Sequence, residues 1–162
     1  MIVWRIAVTG PDYRADDISG EGAKRGGGRW NKVGVAMTYC SSTLSLAFVE
    51  TLVHTNLAGP MPRNRYRIEI TIPNTVWRKR AIARSHPDWP GDWDAEPAGK
   101  GSIDFGTAWR AAGKEAILVV PSVAIPQEEN ILLNPSHADF KKITARNMGR
   151  MDYDPRLFGL RA

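Results

Sequence analysis

Apolar and polar residues alternate along several stretches of the chain, and this period of two predicts β-strands. The clearest case is a strand at Arg65–Pro73, in which polar positions alternate with apolar ones. Its apolar face carries Tyr66, Ile68, Ile70 and Ile72. We expect this strand to be half-buried, with that face on the core. Further strands are predicted at Ile2–Val8, Val33–Cys40, Glu115–Ser122, Asn130–Ser136 and Lys141–Arg146.

Helical spacing of apolar residues predicts a helix at Thr43–Leu57 and a shorter one at Phe105–Gly113. Hydroxyl residues suited to an N-cap begin the first helix, and Gly59–Pro60 is typical of a helix end. Strands and helices do not alternate regularly, which disfavours a doubly wound parallel sheet. The pattern therefore predicts an α+β protein, compact and with one domain over residues 1–162.

Two stretches show neither period. Thr9–Lys32 is rich in Gly, Asp and Arg, and we expect a loop with room for a helical turn. Ser85–Asp104 carries three prolines, three glycines and two tryptophans. A loop of this length is uncommon in a compact domain, so it is a candidate lid or partner-binding segment.

The formal net charge of +5 favours an anionic ligand or partner. The basic residues are scattered, however, and the densest group, Trp77–Arg84, is typical of a solvated surface. A clustered basic helix and interleaved aromatic residues, which would favour nucleic acid, are missing from the sequence. Nucleic-acid binding is therefore the weaker alternative.

Location is predicted from three further features. No apolar run approaches the ~20 residues needed to span a bilayer, and the first residues lack a signal-peptide layout. Cys40 is the sole cysteine and cannot form an internal disulfide, which suits a reducing compartment. We expect a cytoplasmic protein that does not contact a membrane.

Glu50 is an acidic residue on an apolar helix face, because helical spacing places it with Leu46 and Val53. Such a carboxylate is costly to desolvate unless it is paired or lies at a cleft. The alternative is a boundary glutamate that reaches solvent. His54 is four residues further on and could pair with it, but the two alone are too few for a metal site.

Gly26–Gly28 permit positive φ angles and let backbone N–H groups approach a ligand. Arg29 follows and can donate two parallel hydrogen bonds to a phosphate. The sequence matches neither the P-loop nor the dinucleotide-binding pattern. Taken alone, these residues are as well explained by a mobile surface loop.

Three other residues allow more than one interpretation. Tyr39 falls on the predicted core side of a strand, and Ser122 ends an apolar strand, where polar groups often face a cleft. Ser122 lacks the sequence surroundings of a hydrolase nucleophile. A Cys40–His54 nucleophile and base pair has no local support either.

Six short blocks occur along the chain in the order "GGRWN", "TYCSST", "AFVET", "LVVPS", "ENILLNPSH" and "YDPR". Together they resemble the RES family, toxins of bacterial toxin–antitoxin pairs that are named for Arg, Glu and Ser. The resemblance extends from Trp4–Arg5 to Asp154–Arg156, while Pro60–Gly101 contributes little. It implies a compact fold similar to ADP-ribosyltransferases of the diphtheria-toxin type. It also implies NAD⁺ as the substrate, with no cofactor and no metal.

The resemblance assigns roles by position in these blocks. Arg29 matches the family's arginine and would hold the pyrophosphate of NAD⁺. Tyr39 would stack on nicotinamide, and Glu50 would stabilise an oxocarbenium-like ribose. Ser122 would orient the ribose or the nicotinamide amide. The implied catalytic residues are Glu50, Arg29 and Ser122, and the implied NAD⁺-binding residues are Arg29, Tyr39, Gly28, Asn31 and Ser122.

The resemblance leaves the acceptor open. Water or inorganic phosphate would give NAD⁺ degradation, which we place first, and a protein side chain would give mono-ADP-ribosylation. The implied partner is an Xre-like helix-turn-helix antitoxin that covers the NAD⁺ cleft, with a higher-order toxin–antitoxin oligomer as a further option. Direct binding of nucleic acid by this chain is not expected.

Overall fold

The computed structural model describes residues 1–54 and 64–154, which combine strands and helices around one sheet. The strands are β1 (Ile2–Ala7), β2 (Thr38–Ser41), β3 (Tyr66–Thr71), β4 (Ala81–Ile82), β5 (Ile117–Pro121), β6 (Glu129–Leu133) and β7 (Thr144–Arg150). The helices are α1 (Glu21–Gly26), α2 (Leu44–Val53), α3 (Asn74–Trp77) and α4 (Lys100–Ala112), with 3₁₀ turns at Ala83–Ser85 and Ala138–Lys142.

The sheet has the strand order β4-β5-β6-β2-β1-β3-β7. Its pairs are antiparallel except β4 with β5, which are parallel. β1 and β3 pair over their whole length, whereas β1 and β2 pair at Trp4 and Ser41 alone. The sheet therefore opens between β1 and β2.

Alternate residues of the strands supply two hydrophobic clusters on opposite faces of the sheet. On β5, Ile117 and Val119 belong to the first cluster, and Leu118 and Val120 to the second. The first cluster contains Ile68, Ile70 and Ile72, which are almost fully buried and confirm the half-buried strand predicted there.

The second cluster holds the segment around Arg29 against α4. Trp30 is 3% exposed, stacks on Trp89 with ring centroids 5.5 Å apart, and meets Phe105 edge-on. A side chain at Gly106 would collide with the Trp30 backbone, so α4 approaches this segment closely because that position is glycine. The residue next to Arg29 is therefore fixed by aromatic packing.

The strand predicted at Val33–Cys40 is wrong at its start. The observed strand is β2, and residues 32–35 form a turn in which the Val35 N–H donates to the Lys32 carbonyl oxygen over 3.1 Å. Gly34 within that turn has φ 89°, which the left-handed region allows glycine to adopt at little cost. An apolar run beside a glycine turn was mistaken for a strand.

Other boundaries also shift. α1 lies inside the predicted loop Thr9–Lys32, and α4 begins at Lys100, before the predicted Phe105. The last strand is displaced from Lys141–Arg146 to β7.

The basic segment Trp77–Arg84 contains β4, which no period of two could reveal because the strand has two residues. α2 matches the first part of the predicted helix Thr43–Leu57. Its predicted last residues and the end at Gly59–Pro60 lie outside the described residues. Across residues 1–54 and 64–154, the structure contains no helix long and apolar enough to cross a membrane.

Candidate active site

A cleft of about 830 Å³ lies where β1 and β2 separate. Its walls come from β1, β2, α2 and the Gly27–Trp30 segment, and Glu96 closes part of one side. Arg29, Tyr39 and Glu50 all line this one cleft. Residues that were predicted from separate sequence blocks therefore face the same cleft.

The N-terminus of α2 is held by a cap, since the Thr43 hydroxyl accepts a hydrogen bond from Leu46 N over 3.0 Å. The helix places Glu50 half-buried at the cleft. The Glu50 carboxylate accepts hydrogen bonds at Oε1 from Ser122 Oγ (2.8 Å) and from Asn130 Nδ2 (2.5 Å). Of the two interpretations of Glu50, the structure favours the paired carboxylate at a cleft.

Ser122 is fully buried immediately after β5. Its hydroxyl donates to Glu50, and its oxygen accepts a hydrogen bond from Ile125 N over 3.0 Å. Its neighbours Pro121 and Val123, rather than Ser122, line the cleft. In this arrangement Ser122 acts on the carboxylate of Glu50.

Asn130 is the site residue that sequence reasoning missed. It lies on β6, lines the cleft, and sits opposite Ser41 of β2 in the sheet register. Ser41 Oγ donates to Asn130 Oδ1 over 2.8 Å. The available signal was a polar residue within the apolar run "ENILLNPSH", on the same strand face as Leu132.

Arg29 at the other end of the cleft is engaged by the predicted loop Ser85–Asp104. Its Nη1 donates to the carbonyl oxygens of Trp93 (3.1 Å) and Ala95 (2.7 Å). Its Nη2 lies 2.8 Å from Glu96 Oε2. The Arg29 side chain is 17% exposed and that of Glu96 is 79% exposed, so the loop carboxylate is the partner on the solvent side.

The residues beside Arg29 form a tight turn, in which Gly28 N donates to the Asn31 carbonyl oxygen over 3.0 Å. A Cβ at Gly28 would lie 2.7 Å from Tyr39 Oη. Tyr39 Oη accepts from Trp30 N (3.0 Å) and donates to Asn31 Oδ1 (2.6 Å). Gly28 thus lets the tyrosine hydroxyl brace the turn, a role that differs from the close approach of backbone N–H groups to a ligand expected from the sequence.

Asn31 is 1% exposed, and its side-chain amide donates to backbone carbonyls, including those of Ala23 (2.9 Å) and Val35 (2.9 Å). Its side chain therefore ties the turn to α1, to Val35 and to Tyr39 of β2. Tyr39 packs on the second hydrophobic cluster, as its place in the strand pattern predicted, and also lines the cleft. Burial raises the pKa of Tyr39 well above its ordinary value, so the hydroxyl stays protonated and can donate to Asn31.

Charge around the cleft favours an anionic ligand. Three arginines, Arg5, Arg29 and Arg65, line it, against two carboxylates, those of Glu50 and Glu96. Cys40 is buried, which raises the pKa of its thiol to about 12, and His54 is exposed. A thiolate nucleophile is therefore disfavoured. In the part of the chain that the structure describes, no three His, Cys, Asp or Glu side chains are grouped so as to hold a metal ion.

Comparison with known proteins identifies the family to which this chain belongs. The RES domain family model matches residues 2–154. The chain is 49% identical to the Prs ADP-ribosylating toxin of Sphingobium sp. strain YBL2, over 95% of this chain and 94% of that protein. It is 35% identical to Toxin Res of Yersinia enterocolitica, over 97% of this chain and 99% of that protein. The chain belongs to the RES domain family, as the sequence blocks indicated.

A solved structure shares the fold. The chain resembles a chain of the M. tuberculosis MbcT–MbcA toxin–antitoxin complex with a TM-score of 0.55 and 19% identity, over 98% of this chain and 86% of that one. At this identity the likeness concerns the fold. The single domain over residues 1–162 stays a prediction.

Proposed function

We propose that this chain is the toxin of a bacterial toxin–antitoxin pair and that it degrades NAD⁺ by cleaving the nicotinamide–ribose bond. The names of two relatives, Prs ADP-ribosylating toxin and Toxin Res, support the toxin assignment. The observation that carries the chemistry is the cleft between β1 and β2. It combines an arginine suited to a pyrophosphate with a carboxylate fixed by two donors.

Glu50 is the group that would meet the reacting ribose. When the C–N bond breaks, its electron pair leaves with nicotinamide as a neutral pyridine, and positive charge develops on the ribose. A carboxylate already oriented in a partly desolvated site stabilises that charge without reorganising. Water then adds to the ribose carbon and loses a proton, which gives nicotinamide and ADP-ribose. Phosphate as acceptor would give the phosphorylated ADP-ribose instead.

Arg29 is the group proposed to bind the pyrophosphate, because a guanidinium can donate two parallel hydrogen bonds to phosphate oxygens. Gly28 keeps the backbone beside it free of a side chain. The ring of Tyr39 lines the same cleft and offers nicotinamide an aromatic surface. Ser122 supports Glu50 through a hydrogen bond to its carboxylate, and Asn31 supports Tyr39 by accepting from its hydroxyl.

A second candidate is transfer of ADP-ribose to a protein side chain at the same site. The name of the Sphingobium relative, an ADP-ribosylating toxin, favours it. The two candidates share the bond that breaks and differ only in what attacks the ribose. A fold of the ADP-ribosyltransferase type, which we also propose, is compatible with an antiparallel sheet that opens at its substrate cleft.

The proposed partner is an Xre-like helix-turn-helix antitoxin that covers the cleft. Support comes from the fold neighbour, which was solved as a toxin–antitoxin complex. A higher-order assembly of the pair and a cytoplasmic location belong to the same proposal. An antitoxin surface that covers this cleft would meet several arginines.

The test is to incubate the purified protein with NAD⁺, with and without phosphate, and to identify the products by mass. Hydrolysis predicts ADP-ribose in both conditions, phosphorolysis predicts the phosphorylated product only with phosphate, and transfer predicts a mass increase on an added protein. Glu50→Ala should abolish all three, whereas Glu115→Ala, before β5 at the end opposite Ser122, should not. NAD⁺ that stays intact with the wild-type protein both with and without phosphate would overturn the proposal.

A further inference from the structure

We infer that Asn130 is a positioning residue, which with Ser122 fixes Glu50 so that its Oε2 meets the ribose. The inference rests on the proposed function for its chemical meaning. Among the residues that the structure describes, both donors to the Glu50 carboxylate, Ser122 Oγ and Asn130 Nδ2, end on Oε1. The carboxylate lines the cleft, so the other oxygen is the one offered to the substrate.

Each of the two donors is itself oriented by a second hydrogen bond. Ser41 Oγ donates to Asn130 Oδ1, which directs the amide nitrogen toward Glu50. Ile125 N donates to Ser122 Oγ, which leaves the hydroxyl proton for Glu50. Rotation of the Asn130 amide by half a turn would lose the bond to Glu50, because the amide oxygen cannot donate, and would reverse the bond to Ser41, whose hydroxyl can also accept.

The sheet fixes the positions of the residues that make these hydrogen bonds. Ser41 and Asn130 are directly paired in the antiparallel ladder of β2 and β6, and Ser41 is 4% exposed. Ser122 follows β5, whose Val120 is paired with the same Asn130. Three neighbouring strands therefore fix the carboxylate of a helix that itself packs mainly on β1 and β2. Groups held by strands keep their geometry better than groups held by loops.

The expected kinetic signature is a loss of kcat with KM for NAD⁺ nearly unchanged. A carboxylate displaced by about 1 Å loses on the order of 10- to 100-fold in rate, while the groups proposed to bind the pyrophosphate are not touched. We expect this loss in Asn130→Ala and a smaller one in Ser41→Ala, which frees the amide to rotate. Asn130→Asp should lose more than Asn130→Ala, because it keeps the shape but turns an oxygen toward Glu50 Oε1.

The control is Asn134→Asp, at the position directly after the end of β6. Asn134 is also buried, and its amide donates to the Arg110 carbonyl oxygen over 3.0 Å, outside the cleft. It should lower the thermal stability while the folded protein keeps its kcat. A packing role for Asn130 would instead make Asn130→Asp, the closest isostere, the mildest of its variants. Retention of kcat within twofold by Asn130→Asp, or a rise in KM alone, would overturn the inference.

A crystal structure of Asn130→Ala separates this inference from the proposed function. The inference predicts that the Glu50 carboxylate leaves its observed position, whatever reaction the wild-type protein performs. A carboxylate that keeps Oε1 on Ser122 in an unchanged position would overturn it. Absence of NAD⁺ cleavage by the wild-type protein, with the carboxylate displaced in the variant, would overturn the proposed function and leave the positioning role supported.

Discussion

The two charged ends of the cleft are held in different ways. Glu50 is fixed by Ser122 and Asn130, which belong to neighbouring strands or follow them directly. Arg29 is held by two backbone carbonyls and by Glu96, all from one long loop. The group proposed to stabilise developing charge is therefore held from the sheet, while the group proposed to hold phosphates is held by a loop. This difference suits a site in which binding requires adjustment and the chemical step requires precision.

The largest effect is expected from Glu50→Gln, which removes the charge but keeps the shape and the oxygen that accepts from Ser122. The rate of nicotinamide release should fall by about 10²- to 10³-fold, as for loss of one preorganised electrostatic group. The melting temperature should change little, because both donors keep an acceptor. Glu115→Gln is the matched control, and equal rates for the two variants would contradict the role of Glu50.

Arg29→Lys tests the adjustable end. An ammonium cannot replace the fork of donors that reaches both loop carbonyls or two phosphate oxygens. We expect KM for NAD⁺ to rise on the order of 10-fold or more, the scale of one charge-assisted hydrogen bond, with a smaller change in kcat. A kcat loss without a KM change would show that Arg29 belongs functionally with Glu50, and the contrast between the two ends would fail.

Gly28→Ala tests the brace between the turn and Tyr39. The new Cβ would lie 2.7 Å from Tyr39 Oη, so the hydroxyl must give up its place beside Trp30 N. We expect a loss of about 1–3 kcal/mol in the free energy of unfolding, measured by urea denaturation. Gly26→Ala has open space around its Cβ and should be neutral within error. Equal stabilities for the two variants would remove Tyr39 as a brace.

Glu96→Gln should have the smallest effect. The ion pair with Arg29 lies on the solvent side, and such pairs contribute about 0–1 kcal/mol, so the melting temperature should stay nearly unchanged. KM for NAD⁺ should fall by a few-fold, because a carboxylate no longer competes with phosphate for the guanidinium. Asp94→Asn, an exposed change of equal charge in the same loop, controls for net charge. A KM shift of the same size there would assign the effect to general electrostatics.

The sequence predicted what local patterns determine. β3, β5 and the first part of α2 follow from alternation, an apolar run and a cap, which are properties of neighbouring residues. The strand proposed at Val33–Cys40 began too early because a turn at Gly34 interrupts it, and the apolar residues there gave no sign of this. β4, with two residues, is a strand only because β5 lies beside it.

For the site, the order of short blocks gave Arg29, Tyr39, Glu50 and Ser122. Asn130 was missed because its role depends on pairing with Ser41 and on contact with Glu50, 80 positions away in the chain. The engagement of Arg29 by Ala95 and Glu96 was equally out of reach, since it joins residues 66 and 67 positions apart through a loop without periodicity. Interactions of this kind are decided by the tertiary structure.

The central claim is that this cleft cleaves NAD⁺ with Glu50 as the stabilising carboxylate. The most direct measurement is a proton NMR time course of NAD⁺ with the wild-type protein and, in parallel, with Glu50→Gln. The account predicts that the NAD⁺ signals give way to those of free nicotinamide in the first sample. In the second sample, NAD⁺ persists. NAD⁺ that stays intact with the wild-type protein, or that disappears at the same rate in both samples, would contradict it.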